Sequence, residues 1–234
     1  MKVFAIADLH LSGAQPKPMN VFGDRWENHW EKISAAWREQ VSAEDIVLIA
    51  GDISWAMQWA DALPDLDAIA RLPGRKVILK GNHEYWWNSV SRIRSYLPEG
   101  MYVIQNDAVA ISGLIFCGTR GWQNPALGEA SAEDRKIYQR ELIRLEMSLK
   151  AAKKLQTDGQ EIVGLTHFPP LETDCKPTPV TQLFQAYGVQ KVVFGHVHGM
   201  ICKGEYRPLE SEGTQYYLTA CDYLNFQPLC LMEI

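Results

Sequence analysis

Short apolar runs that stop at polar residues recur along the chain and predict buried strands. Three lie in the first part of the sequence and two come later: residues 3–7, 46–50, 76–79, 162–166 and 191–194. The stretches after the first three runs predict helices from after Asp24 to about Gln40, over 61–71 and from about 88 to 96. Strands that alternate with helices at this spacing form parallel βαβ units.

The pattern changes in the middle of the chain, where shorter apolar segments follow one another closely. They predict strands at 101–104, 108–111 and 114–117. The turn residues Asn106-Asp107 and Ser112-Gly113 separate them, and such punctuation is typical of antiparallel hairpins. We therefore expect antiparallel strands here.

A long amphipathic helix follows, and Ser131 with Asp134 predicts a capping box at its start. A short helix is expected over 180–187, and strands return after about Glu205 to finish at 229–232. Together these elements predict an α/β (α+β) fold in which two mixed β-sheets pack as a sandwich flanked by helices. With no linkers or repeats, the chain is expected to form one domain over residues 1–234.

The long helix also carries basic residues opposite its apolar stripe: Arg135, Lys136, Arg140, Arg144 and Lys150. Glutamates are interleaved with them, so the pattern favours a solvated face over a nucleic-acid stripe. The net charge of −5 likewise argues against duplex DNA or an anionic membrane as the main partner.

Segments that direct a chain to or across a membrane are not expected. Asp8 and His10 interrupt the apolar N-terminus, which argues against a signal peptide, and no apolar run approaches the ~20 residues of a membrane span. The five cysteines form no CxxC pair and are predicted to be reduced thiols. A cytoplasmic protein is therefore expected.

Polar clusters stand where the predicted strands end, which is where parallel α/β sheets place their ligand sites. They contain five of the six histidines: Asp8-Leu9-His10, Gly51-Asp52, Lys80-Gly81-Asn82-His83-Glu84, His167 and Gly195-His196-Val197-His198. One histidine after a strand is usually structural. Five at equivalent positions, beside aspartate and asparagine, predict a metal site.

The donor atoms are nitrogen and oxygen without sulfur, which suits Mn, Fe, Zn or Co. Eight candidate donors are too many for one ion, whereas two divalent ions that share a bridging carboxylate account for them. Two ions roughly 3.5–4 Å apart suit an in-line attack at phosphorus.

In order and spacing, these clusters resemble the motifs of the calcineurin-like metallophosphoesterases. The resemblance spans Asp8 to His198 and implies a four-layer sandwich that hydrolyses phosphate esters with two metal ions, such as Mn²⁺, Fe²⁺ or Zn²⁺. The segments Gly51-Asp52-Ile53-Ser54-Trp55 and Gly118-Thr119-Arg120-Gly121-Trp122 look most like a group of small predicted phosphohydrolases within that family.

The resemblance also implies a role for each residue. One metal would be held by Asp8, His10 and His198, and the other by Asn82, His167 and His196. Asp52 would bridge them. His83 would contact the phosphoryl oxygens and help to protonate the leaving group.

The chain departs from the protein Ser/Thr phosphatases of this family after its second motif. Those enzymes carry an acidic residue and then an arginine, whereas residues 53–57 here have neither. A phosphoprotein substrate is therefore not expected, and His83 lacks the usual orienting carboxylate. Glu84 is expected to cap the following turn instead.

Tryptophans follow several strand ends and predict an aromatic pocket wall: Trp26, Trp30, Trp55, Trp59, Trp86, Trp87 and Trp122. Arg120, Trp55 and Trp122 are predicted to bind substrate, with Arg120 gripping a phosphate. Aromatic walls favour a small organic or nucleotide-like phosphate ester. The motifs leave open whether the enzyme is a phosphomonoesterase or a phosphodiesterase.

Two alternatives stand beside the hydrolase of small esters. A metal-dependent nuclease would need a basic groove, which the composition does not indicate. A non-catalytic metal-binding scaffold of the same fold would have no need of His83, yet the whole ligand set and His83 are present.

Overall fold

Two mixed β-sheets form the centre of the protein in a computed structural model that describes residues 1–126, 128–172 and 174–234. The strands are β1 (Lys2–Ile6), β2 (Ile46–Ile49), β3 (Arg75–Leu79), β4 (Met101–Ile104), β5 (Ala108–Ile111), β6 (Leu114–Thr119), β7 (Ile162–Thr166), β8 (Lys191–Phe194), β9 (Leu209–Ser211), β10 (Thr214–Leu218) and β11 (Leu229–Glu233). The helices are α1 (His29–Gln40), α2 (Trp59–Ala70), α3 (Val90–Tyr96), α4 (Ala132–Leu155) and α5 (Pro179–Ala186), with 3₁₀ turns at Met19–Phe22 and Asp24–Trp26.

The first sheet has the strand order β11-β1-β2-β3-β4, and the second has the order β5-β6-β7-β8-β10-β9. In the first sheet β1, β2, β3 and β4 pair in parallel, and β11 joins β1 antiparallel. In the second sheet β6, β7, β8 and β10 pair in parallel, and antiparallel β5 and β9 close the edges. The predicted fold of two mixed sheets flanked by helices is confirmed.

Three apolar layers hold the four-layer sandwich together. Helices α1 to α3 cover the outer face of the first sheet, with Trp37, Ile69 and Ile93 in that layer. Side chains from both sheets meet between them, as Leu48 and Phe116 do. Helices α4 and α5 cover the outer face of the second sheet. Because both faces of the central strands are buried, those strands are continuously apolar, as the sequence indicated.

The antiparallel hairpins predicted for 101–117 are wrong in the first half and confirmed in the second. β4 pairs in parallel with β3, and the chain then crosses to the second sheet, so the hairpin consists of β5 and β6 alone. Turn residues such as Asn106-Asp107 occur both in hairpins and in connections between sheets. The local sequence pattern therefore could not distinguish a hairpin from a crossover. The predicted capping box is confirmed, since Ser131 Oγ accepts from the Asp134 N–H at 3.0 Å.

The carboxyl ends of the central strands lead into tightly packed loops. Four non-glycine residues there adopt left-handed φ: Asp8 (60°), His10 (47°), Asp52 (52°) and His196 (71°). Glycine is required where these loops touch, because a Cβ on Gly81 would lie 2.1 Å from Asp52 Oδ1 and one on Gly195 2.5 Å from Asp8 Oδ2. Such strained backbone is typical of functional sites.

Among the described residues, no helix combines the length and apolar character needed to cross a bilayer.

Candidate metal centre

The strand-end clusters converge at one place between the two sheets. Loops after β1, β2 and β3 bring in Asp8, His10, Asp52, Asn82 and His83, and loops after β7 and β8 bring in His167, His196 and His198. Main-chain hydrogen bonds join the loops, with the Asp8 N–H donating to Gly51 O at 2.9 Å and the Gly195 N–H to His167 O at 3.1 Å. The eight residues singled out in the sequence therefore form one cluster.

Two groups of potential metal ligands share Asp8. Asp8, His10 and His198 place ligand atoms within 4.8 Å of one another, as do Asp8, Asp52 and His167. Asp52 Oδ2 also lies 3.5 Å from His167 Nε2 and 3.9 Å from His10 Nε2. Two carboxylates thus lie among the imidazoles, as a centre for two ions requires.

The hydrogen bonding around His167 fits a bound cation. His167 Nδ1 lies 3.0 Å from the carbonyl oxygen of Ala50, which only accepts, so the proton of the neutral ring is on Nδ1. The lone pair of Nε2 then faces Asn82 Oδ1 at 2.7 Å, which is also an acceptor. His196 Nδ1 lies 3.3 Å from the same Nε2 and 2.9 Å from Asn82 Oδ1. Asn82, His167 and His196 could together hold a divalent cation, which would relieve the contact between lone pairs.

Burial keeps most of the histidines ready to bind metal. It lowers the pKa of His10 to about 3 and that of His196 to about 4, so both rings are neutral at pH 7. Burial favours the neutral acid of Asp8, but its contact with His198 and the nearby imidazoles hold the Asp8 pKa at about 2. Asp8, His10 and His196 are therefore already in the protonation states that bind a metal.

Asp222 belongs to the site although the sequence reading missed it. Its Oδ1 accepts from His198 Nδ1 at 3.0 Å, while His198 Nε2 faces Asp8 Oδ1 at 3.5 Å. Burial acts to lower the pKa of His198, but the hydrogen bonds to Asp222 and Asp8 raise it to about 10. Asp222 follows β10, so the rule of polar residues after strand ends was the signal that could have found it.

Glu84 does not cap the following turn as predicted. Its buried carboxylate accepts the backbone N–H groups of Gly81, Asp52, Ile53 and Ser54. Burial and the nearby charge of Asp52 raise its pKa to about 8. The loops after β2 and β3 both present N–H groups without strand partners, and one carboxylate between them satisfies those donors. Glu84 thereby fixes Asp52 relative to Asn82.

His83 stands beside the ligand groups rather than within them. Its backbone N–H donates to Asp52 Oδ1 at 2.9 Å, and its Nε2 lies 3.9 Å from Asp52 Oδ2. The ring packs on Trp55 with centroids 4.4 Å apart, and Nδ1 has no hydrogen-bond partner in the described part of the chain. Asp52 and Trp55 together orient His83 in the absence of the orienting carboxylate that protein Ser/Thr phosphatases carry.

A cavity of about 620 Å³ opens over this cluster. His10, His83 and His198 line it together with Arg25, Asp222 and apolar side chains from the loops around it: Met19, Phe22, Trp26, Trp55 and Ile201. Two of the seven tryptophans singled out in the sequence therefore face the candidate site. Trp59, Trp86 and Trp87 instead pack in the layer between the first sheet and its helices.

The other two residues predicted to bind substrate lie elsewhere. Trp122 packs on Phe168 at 5.0 Å, and Phe168 packs on His196 at 4.2 Å, so Trp122 reaches the centre only through Phe168. Arg120 lines a separate cavity of about 260 Å³ with Lys80 and Glu141. Its guanidinium lies over Trp122, and Arg120 does not line the cavity over the histidines.

Comparison with known proteins agrees with this geometry. Residues 1–200 match the family model described as calcineurin-like phosphoesterase. No curated protein matches the sequence.

Two solved structures share the fold. A protein of unknown function from Aquifex aeolicus is 14% identical with a TM-score of 0.51, and the alignment covers 98% of this chain and 95% of that one. Phosphopantetheinyl hydrolase from Mycobacterium tuberculosis is 18% identical with a TM-score of 0.53, over 96% and 90% of the two chains. The family match extends over most of the sequence, and the chain belongs to the calcineurin-like phosphoesterase family of metal-dependent phosphoester hydrolases.

Proposed function

We propose that the protein hydrolyses small organic phosphate esters with two divalent ions in this centre. Asp8, His10 and His198 would hold one ion, Asn82, His167 and His196 the other, with Asp52 between them. The observation that carries the proposal is the 2.7 Å approach of His167 Nε2 to Asn82 Oδ1 while Nδ1 lies 3.0 Å from the carbonyl oxygen of Ala50, beside two ligand groups that share Asp8. Mn²⁺, Fe²⁺ and Zn²⁺ all suit the nitrogen and oxygen donors.

The metal ligands and His83 would have different roles in the reaction. When bound, the ions supply Lewis acidity, which lowers the pKa of a water and offsets charge on the phosphoryl oxygens. Asp52 and Trp55 hold the His83 ring at the edge of the cavity. From there His83 would contact a phosphoryl oxygen and donate a proton to the leaving oxygen.

The cavity walls support an apolar leaving group. His10 stacks on Trp55 at 4.7 Å and Lys17 Nζ lies 3.6 Å from the Trp55 ring centroid, so neighbours already cover this indole. Trp26 is buried, whereas Phe22 and Ile201 are 62% and 49% exposed. The surface available to a leaving group is therefore that of Phe22 and Ile201 rather than a tryptophan platform for a nucleobase.

Arg25, the arginine that lines the cavity over the histidines, already donates hydrogen bonds to the main chain. Arg25 donates to the carbonyl oxygens of Met200 and Asp222 and so braces the two loops that flank the cavity. An engaged arginine offers little to a nucleic-acid backbone, which a nuclease would need to grip. A nucleotide-like ester remains within the proposal because its base would meet Phe22 and Ile201.

The test compares substrates in the protein loaded with Mn²⁺. An aryl phosphate monoester, an aryl diester, glycerol phosphate and single-stranded DNA are assayed side by side. Turnover of an aryl ester that stops in chelator supports the proposal. Turnover of DNA alone would favour a nuclease, and no metal-dependent turnover of any substrate would favour a scaffold.

Phe22→Ala then tests the leaving-group wall. We expect it to raise the KM for the aryl ester about fivefold and to leave the KM for glycerol phosphate unchanged, because only the aryl group buries apolar surface there. Val21→Ala is the matched control, since Val21 is 72% exposed and does not line the cavity. Equal effects of both substitutions would contradict the assignment of Phe22.

A single domain over residues 1–234 and a cytoplasmic location stay predictions from the sequence.

A further inference from the structure

A second cavity, strongly basic, adjoins the strands that carry the metal-centre residues. It has a volume of about 260 Å³ and shares no lining residue with the cavity over the histidines. The ends of β3, β4 and β6 form it together with α4. Its polar lining comprises Lys80, Gln105, Asn106, Thr119, Arg120, Arg140, Glu141 and Arg144.

The charge in this cavity is unbalanced. Four cationic side chains face one carboxylate, that of Glu141, which leaves a formal charge of +3 in a chain whose net charge is −5. Arg140 and Arg144 belong to the basic face of α4 that the sequence assigned to solvent. Lys80 and Arg120 come from the ends of buried strands, so the cluster is more than an exposed helix face.

Glu141 cannot balance these cations because its oxygens are already engaged. Oε1 accepts from Arg144 Nη1 at 2.6 Å, and Oε2 accepts from Thr119 Oγ1 at 2.6 Å and from the Gly121 N–H at 3.2 Å. Arg120 Nη2 approaches Oε1 only to 3.9 Å. The carboxylate therefore holds Arg144 and the loop after β6 in place, pairs with Arg120 only at long range, and has no ion pair with Lys80 or Arg140.

Three cations have donors to spare. Arg120 is half-buried, its Nε is fully buried without a hydrogen-bond partner, and its guanidinium rests on Trp122 at 4.7 Å. Within the described part of the chain, Lys80 and Arg140 make no hydrogen bond or ion pair through their side chains. The buried Arg120 Nε is a donor whose lack of a partner costs free energy unless an anion satisfies it.

We infer that this cavity binds a phosphate-type oxyanion. A tetrahedral polyanion presents several acceptors at once, and arginines bind such groups through pairs of parallel N–H donors. Gln105 and Asn106 add neutral donors to the lining. Two sources share this chemistry, namely free inorganic phosphate and a second phosphate group on a substrate held at the metal centre.

Inorganic phosphate itself is the probe for the first test. Isothermal titration of the metal-loaded protein should show two phosphates bound per chain, one at the metal centre and one in the basic cavity. The double variant Lys80→Gln/Arg140→Gln should bind one, with affinity at the basic cavity reduced at least about tenfold by the loss of two cations. Arg135→Gln/Lys136→Gln is the matched control, since it removes the same charge from exposed positions of α4 outside the cavity, and should still bind two.

Arg140→Gln alone guards against a folding defect, because Arg140 is exposed and unpaired and its loss should leave the circular dichroism spectrum unchanged. Arg140→Gln should also lower the affinity of the basic cavity for phosphate, as the double variant does. Unchanged stoichiometry and affinity in both Arg140 variants would overturn the inference, as would an equal loss in the matched control.

The second test separates the two sources. If the anion belongs to the substrate, the double variant raises the KM for an ester with two phosphate groups and spares the KM for an ester with one. If the anion is free phosphate, binding is lost and neither KM changes. If the metal-loaded protein turns over no ester, the proposed function is contradicted. The binding measurement still tests the basic cavity, because phosphate binding there needs no turnover.

Discussion

His198 lies between two carboxylates, and the outer one, Asp222, fixes which ring nitrogen faces Asp8. Because Asp222 Oδ1 is 3.0 Å from Nδ1, the N–H is held on that side and Nε2 is turned toward Asp8. Asp222 Oδ2 also accepts the Gly199 N–H at 3.0 Å, which holds the carboxylate itself in place. Asp222 therefore positions His198, a candidate metal ligand.

Asp222→Asn should weaken metal binding by about 10- to 100-fold, as loss of such supporting hydrogen bonds typically does. The amide can present its N–H₂ group to His198 and so favour the wrong tautomer. The measurement is a direct Mn²⁺ titration of the purified protein, with the exposed Asp24→Asn as control. Equal affinities in the two variants would show that Asp222 has no positioning role.

His83→Ala should keep both metal ions and lose about 10²- to 10⁴-fold in rate. His83 contacts Asp52 and Trp55 but lies outside both ligand groups, so its removal takes away a proton donor rather than a ligand. Metal content and turnover are measured on the same preparation. The loss should shrink for esters whose leaving group needs no proton, and a fall in metal content would identify His83 as a ligand instead.

Among the elements, β3 contains a buried charge and leads into the loop of Asn82 and His83 in the candidate site. Lys76 is 3% exposed within this strand, and its Nζ donates to the carbonyl oxygens of Ala70, the last residue of α2, and of Leu72 just beyond it. Burial lowers the pKa of Lys76 to about 8 from its ordinary value of 10.5. Near neutral pH the protonated Lys76 therefore lowers the free energy of unfolding.

This charge predicts a dependence of stability on pH. Between about pH 8 and 10.5 the unfolded chain binds more protons at Lys76 than the folded one, so the Lys76 contribution to stability rises with pH there. The free energy of unfolding of wild type minus that of Lys76→Met should therefore increase over this range, by at most about 1.4 kcal/mol per pH unit. The buried tyrosines and cysteines are common to both proteins, so the subtraction removes their contributions to the pH dependence of stability. A difference that stays flat or falls with pH would contradict the lowered pKa of Lys76.

The elements also show why part of the fold was readable from the sequence. Continuous apolar runs such as Ile46–Ile49 identify strands buried on both faces, and Ser131 with Asp134 identifies the start of α4. The sheet that β4 joins was not readable, because pairing is settled by distant partners rather than by Asn106-Asp107. The same holds for Glu84, whose carboxylate serves backbone groups of a loop about thirty residues earlier.

At the scale of the whole molecule, packing of the two mixed sheets brings the ends of five parallel strands to one point. Strand-end position alone therefore indicated which residues meet, from Asp8 to His198. It could not indicate where a side chain beyond the strand end turns. Arg120 follows β6 as His167 follows β7, yet Arg120 turns toward Glu141 and His167 toward Asn82.

The most direct measurement is metal content and phosphoesterase rate on the same sample, as Mn²⁺ is added back to chelator-treated protein. The ligand groups that share Asp8 predict two ions per chain at saturation, with turnover of an aryl phosphate absent before loading and complete when both ions are bound. Full activity with one ion per chain would contradict the two-metal centre. Full activity with no bound metal would contradict the function itself.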